Sequence, residues 1–150
     1  MMQEEMEARV WQRVLQRPRV KPEEELLKAW IADTLAAQRS YQKMWRMSGS
    51  QKYRSMAAAE AAQGKELSAL LFLLYGTRER IFGGAAEGKR ALTASVRSRY
   101  AAEAAAEKAF SEAANRWPEY SEHFEKMAVR AARHRELLWK DAQRFLNWKR

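Results

Sequence analysis

Glu60, Glu103 and His134 are the residues whose type and placement point to chemistry in this chain. Each lies at the middle of a row of side chains spaced alternately three and four apart, the spacing of one helix face. One row runs Tyr53, Met56, Glu60, Gln63, Leu67, Leu70, Leu74. A second runs Val96, Tyr100, Glu103, Glu107, Phe110, Ala114, and a third Tyr120, Phe124, Met127, Ala131, His134, Leu138. The fourth row is Leu27, Ile31, Thr34, Gln38, Tyr41, Trp45. All are apolar toward their ends and polar near their centres. A buried carboxylate without a partner costs several kcal/mol, so Glu60 and Glu103 require a cation, a proton or strong donors. A metal ion is one solution; a Glu–His⁺ or Glu–Arg pair is the other.

Other chemistry is poorly provided for. The chain has no cysteine, which removes disulfides and thiolate metal sites. GGAAEGKR, 83–90, is rich in glycine but lacks the spacing of a phosphate loop and a preceding strand. No nucleophile-plus-base arrangement is visible, and the six Trp and seven Met read as core and interface.

The elements that must carry the rows follow from composition and punctuation. The chain has 150 residues, three prolines and six glycines, is rich in Ala, Glu, Lys, Arg and Leu, and shows no period-two stretch. That predicts an all-α protein of one domain. An N-terminal arm, amphipathic at 3–17, occupies residues 1–21 and ends at Pro18 and Pro22. The second unit, 22–150, holds four helices at about 22–47, 51–75, 92–115 and 119–147, the first opening with Pro and three acids. Short breaks at MSGS and NRWP make two antiparallel hairpins, and the glycine-rich segment 76–93 is a long crossover between them. Two hairpins with one long crossover is the ferritin-like form of the four-helix bundle. Gly64, in mid-helix, suggests a close helix approach.

The halves also resemble each other. Thr34 and Glu60 are 26 residues apart, Glu103 and Ala131 28, and Gln63 and His134 each follow three later. In DTLAAQRSYQKM (33–44), AAAEAAQGKELSALLFLLYG (57–76) and FEKMAVRAARHRELL (124–138) the chain resembles the ferritin-like superfamily, specifically the rubrerythrin-type diiron domain. The resemblance implies six ligands: one Glu each from helices one and three, and Glu-x-x-His from helices two and four. Carried across, those positions are Thr34, Glu60 with Gln63, Glu103, and Ala131 with His134. Glu60, Glu103 and His134 keep ligand types; Thr34, Gln63 and Ala131 have lost them. The three survivors would share one metal position, workable for a single Fe, Mn or Zn ion, with Glu107 as a further oxygen. Without metal, His134 stays protonated between Glu60 and Glu103, and Gln63 gives its amide to a carboxylate. The missing cysteines also remove the iron–thiolate electron-transfer module of full rubrerythrins.

The leading expectation is therefore a degenerate ferritin-like protein, without catalysis or cofactor, in a structural or partner-binding role. The alternative is a single-metal protein in redox or metal handling. Surface features add a third reading. The net charge is +9, with basic residues spread along every helix, which reads first as solvated faces and second as a nucleic-acid-binding module. The C-terminal ELLWKDAQRFLNWKR sets Leu137, Leu138, Phe145 and Leu146 against Lys140, Arg144 and Lys149. With the N-terminal arm it suggests a homodimer contact, an end cover or, less favoured, an anionic membrane surface. His123 reads as a surface residue. LSALLFLLY, 67–75, is too short to span a bilayer, and a cytoplasmic location is the default.

Overall fold

The computed structural model describes residues 21–78, 80–81 and 91–148; the N-terminal arm and most of the glycine-rich segment lie outside them. Four long helices follow in order: α1, Glu24–Ser48; α2, Gln51–Tyr75; α3, Leu92–Arg116; and α4, Ser121–Trp148. Their ends follow from local chemistry. Glu24 and Glu25 occupy the first turn of α1, where carboxylates favour the positive end of the helix dipole. Gly49 and Gly76 close α1 and α2 with φ of 71° and 70°, a left-handed backbone open to glycine at little cost. Their N–H groups donate to the Trp45 and Phe72 carbonyls at 2.7 Å. At the end of α3 the Trp117 side chain is buried, and Pro118 begins a 3₁₀ turn, Pro118–Tyr120, that redirects the chain into α4.

All four helices pack together, α1 on α2 and α3, and α4 on α3 and α2. Each contact is antiparallel. The Tyr75 hydroxyl donates to the Pro22 carbonyl at 2.6 Å, tying the end of α2 to the start of α1. Arg116, at the end of α3, meets Glu23 at 3.2 Å, and Glu66 of α2 meets His123 of α4 at 2.7 Å. Arg135 pairs with Glu107 at 2.8 Å across the second hairpin. Consequently α2 ends at one end of the molecule and α3 starts at the other. With a rise of about 1.5 Å per residue, residues 76–91 join points roughly a full helix length apart.

The interior has three layers. One apolar cluster includes Leu27, Ile31, Leu67, Phe110, Phe124 and Met127, capped by Trp30, whose ring centroid lies 5.0 Å from that of Phe110. The other, toward the α1–α2 turn, gathers Tyr41, Met44, Tyr53, Met56, Val96 and Leu138. Between them lie the buried polar residues Thr34, Glu60, Gln63, Glu103 and His134.

The α3 row differs from expectation. Tyr100 is 36% exposed, its ring 6.1 Å from that of Trp139 on the outer side of the hairpin. Glu107 is turned to Arg135. Alanines flank α3 on both sides, so its inward sector is set by the bulky Val96 and Phe110, and Ala113 and Trp117 continue it. Gly64 is corrected too: a Cβ there would meet Thr34 Cγ2 at 3.6 Å, an ordinary contact, so no close approach demands glycine. Gly64→Ala is therefore predicted to stabilise the fold by about 1 kcal/mol and raise Tm by about 2–4 °C in a thermal melt. A lower Tm would show the helices to be closer there than this packing allows.

Candidate functional site

The polar layer brings together residues from all four helices. Glu60 comes from α2, Glu103 from α3 and His134 from α4, and one ligand-type atom of each lies within 4.8 Å of the others. His134 Nδ1 is 3.2 Å from Glu60 Oε1 and 3.6 Å from Glu103 Oε1. α1 contributes Tyr41, whose hydroxyl donates to Glu103 Oε1 at 2.8 Å. Arg99, one turn before Glu103, donates to the same oxygen at 3.2 Å and lies under the Tyr41 ring at 5.2 Å. Glu103 Oε1 is thus surrounded by a hydroxyl, a guanidinium and an imidazole.

Charge explains why this arrangement is tolerable. Burial pushes the Glu60 carboxyl above its ordinary pKa; the His134 hydrogen bond opposes this, and the Glu103 charge adds to it. Burial works against the Glu103 carboxylate as well. There the His134 hydrogen bond, the Arg99 charge and the Tyr41 hydroxyl outweigh it and hold the pKa below the ordinary value. For His134, burial disfavours the cation, but the two carboxylates prevail and raise its pKa. Burial, then the Glu103 charge, push the Tyr41 hydroxyl far up, so it stays a donor. Glu103⁻ and Arg99⁺ cancel, and one proton shared by Glu60 and His134 neutralises the rest. The cluster sums to zero.

The other half of the layer is filled differently. Arg130 Nη1 donates to Gln63 Oε1 at 3.1 Å, and Gln63 Nε2 donates to Thr34 Oγ1 at 3.1 Å. Gln63 therefore serves a hydroxyl, and not a carboxylate as its sequence position suggested. Ala131 is buried beside this chain and offers no oxygen. A cavity of about 400 Å³ opens between α1 and α3; Thr34, Glu60, Gln63, Glu103 and Ala131 line it, with Trp30 and Phe110 at one end.

The residues divide clearly on whether they suit a metal. Around an ion with bonds of about 2.1 Å, ligand atoms stand about 3.0–3.4 Å apart, close to the His134 separations. Glu60, Glu103 and His134 are thus grouped closely enough that they could hold one ion. Glu107 does not add a fourth oxygen, because Arg135 holds it outside the cluster. The second position does not suit a metal: a neutral amide–hydroxyl bridge stands there, with a guanidinium behind it.

Two residues beyond the inward rows matter here. Arg99 was open to notice as an i,i+4 partner of Glu103. Arg130, beside Ala131, had no such signal, since its partner is on another helix. Elsewhere, Asp141 of α4 is buried and accepts hydrogen bonds from Lys52 and Tyr53 of α2, a separate clasp between the hairpins. His123 is exposed, as expected.

The shifts set a pH dependence. His134 holds its proton more tightly when folded, so its contribution is complete below the unfolded value near 6.5 and disappears as pH rises through the higher folded one. Glu60, also raised, acts in the same direction from above 4.5. Glu103, depressed, contributes above 4.5 and is lost as pH falls through its lower folded value. Urea unfolding should therefore show stability declining with rising pH on the alkaline side of neutrality. A His134→Gln variant should be about 3 kcal/mol less stable near neutrality and lose the His134 part of that decline, keeping only the part due to Glu60. An identical pH profile in both proteins would refute the assignment. No family profile, curated protein or solved structure matches this chain.

Proposed function

We propose that the chain is a ferritin-like protein of rubrerythrin type in which an ion-paired polar layer has taken the place of the diiron centre. Its role on this reading is structural or partner-binding, without catalysis. Two features of the helices support the ancestry: the pairing of two antiparallel hairpins, with the end of α2 and the start of α3 at opposite ends, and the convergence of the matching positions of all four helices on one layer. The observation that supports the loss of the centre is that Arg99, Tyr41 and His134 all lie within hydrogen-bond distance of the buried Glu60 and Glu103 carboxyls, an arrangement that can neutralise them without a metal. A divalent ion added to that set would displace the shared proton and leave excess positive charge beside Arg99, a poor exchange in a dry interior.

The second reading is a single-metal protein using Glu60, Glu103 and His134. It is favoured by one observation, the mutual approach of the three ligand atoms within 4.8 Å. Such an ion would act as a Lewis acid or one-electron centre, while Tyr41 and Arg99 would orient the Glu103 carboxylate. Elemental analysis of protein purified without chelator separates the two. The leading reading predicts well below one equivalent of Fe, Mn or Zn, and no rise in Tm on adding any of them. Stoichiometric metal that disappears in a Glu60→Ala/His134→Ala variant would establish the second and overturn the first.

A further inference from the structure

The antiparallel packing sorts charge in a way no single helix reveals. The later half of α1, the first half of α2, the first half of α3 and the later half of α4 meet at one end, where Lys52 reaches Asp141 and Tyr41 reaches Glu103. Residues 37–48, 51–62, 92–103 and 135–148 hold ten Lys or Arg against four acids; the other described residues hold ten of each. Three of those four acids, Glu60, Glu103 and Asp141, are buried partners of internal groups. Among the described residues, Glu136 is the exposed acid of that half. The net positive charge of the described residues is therefore confined to one half of the molecule.

Arginine dominates the exposed basic groups there, including Arg46, Arg54, Arg97 and Arg144. Rings accompany them. Tyr100 and Trp139 are 36% and 51% exposed and form a tilted pair beside Arg97 and Lys140. Arg54 lies over the Trp45 ring at 5.3 Å.

We propose that this end of the molecule binds single-stranded nucleic acid. Guanidinium forks at Arg46, Arg97 and Arg144 take backbone phosphates, and the Tyr100–Trp139 pair accepts unstacked bases. The rings favour a single strand over a duplex, because every unpaired base offers a π-face that a duplex hides. An anionic bilayer fits less well. The exposed apolar side chains at this end, Met47, Tyr100, Trp139 and Leu146, are spread over three helices and form no continuous apolar helix face. The site uses exposed side chains of that half, none of them a member of the buried layer, and either inference can fail without the other.

Fluorescence anisotropy with labelled oligothymidine and mixed-sequence RNA of about 20 nucleotides tests this at low and moderate salt. Binding is expected at low salt, weakening as salt rises. Arg46→Glu/Arg97→Glu/Lys140→Glu should weaken it by at least about tenfold, and Trp139→Ala by about fivefold. Lys65→Glu/Lys108→Glu/Lys126→Glu, with the same net charge at the opposite half, should change it by less than about threefold. Circular dichroism checks the helices, and should a triple variant lose them, the single substitutions Arg97→Glu and Lys108→Glu carry the same comparison. Absence of binding at low salt, equal losses from the two sets, or preference for duplex DNA or phosphatidylserine vesicles would overturn the proposal.

Discussion

Two carboxylates at the centre of a helical interior must be neutralised, and the organisation of this molecule follows from how that is done. Glu60 and Glu103 are each less than a twentieth exposed. Left alone, either would cost more than a typical domain can spare. Arg99 answers one within its own helix; His134 answers the other from across the hairpins. The imidazole lies between the two acids, so α2, α3 and α4 are tied at a single nitrogen, and Tyr41 adds α1.

This layer divides the interior into two apolar clusters and fixes the hairpins relative to each other. The helices within each hairpin pack closely, while contact between the hairpins is sparser. Polar links therefore carry much of the registration between them: the central cluster, the Arg130–Gln63–Thr34 chain, and the Asp141 clasp with Lys52 and Tyr53. Polar contacts of this kind discriminate against slipped packings, because a shift of one turn would strand a charge. The same antiparallel order brings the basic halves of four helices to one end, so the scattered lysines and arginines of the described residues become one-sided.

Much of this was legible in the residues. Glycine and proline mark the helix ends, and α2 falls at 51–75 as read from the break MSGS and from Gly76. The convergence of Glu60, Glu103 and His134 followed from polar positions interrupting apolar rows. Tyr100 and Glu107 misled because alanine flanks α3 on both sides, leaving its inward direction to a few large residues. Gln63 was placed correctly but given the wrong partner: its neighbour is Thr34, and Arg130 supplies the donor that a lone helix cannot reveal. The charge asymmetry was invisible for a related reason, since it exists only once helix directions are known.

The direct test of this account is the titration of His134, followed by ¹⁵N NMR of the imidazole as pH rises past the ordinary histidine value. Internal neutralisation predicts that both ring nitrogens keep their protons past the pH at which an ordinary histidine loses one, with Nδ1–H shared toward Glu60 and Glu103. A neutral ring with a bare Nδ1, or a ring signal displaced by a resident metal, would contradict it.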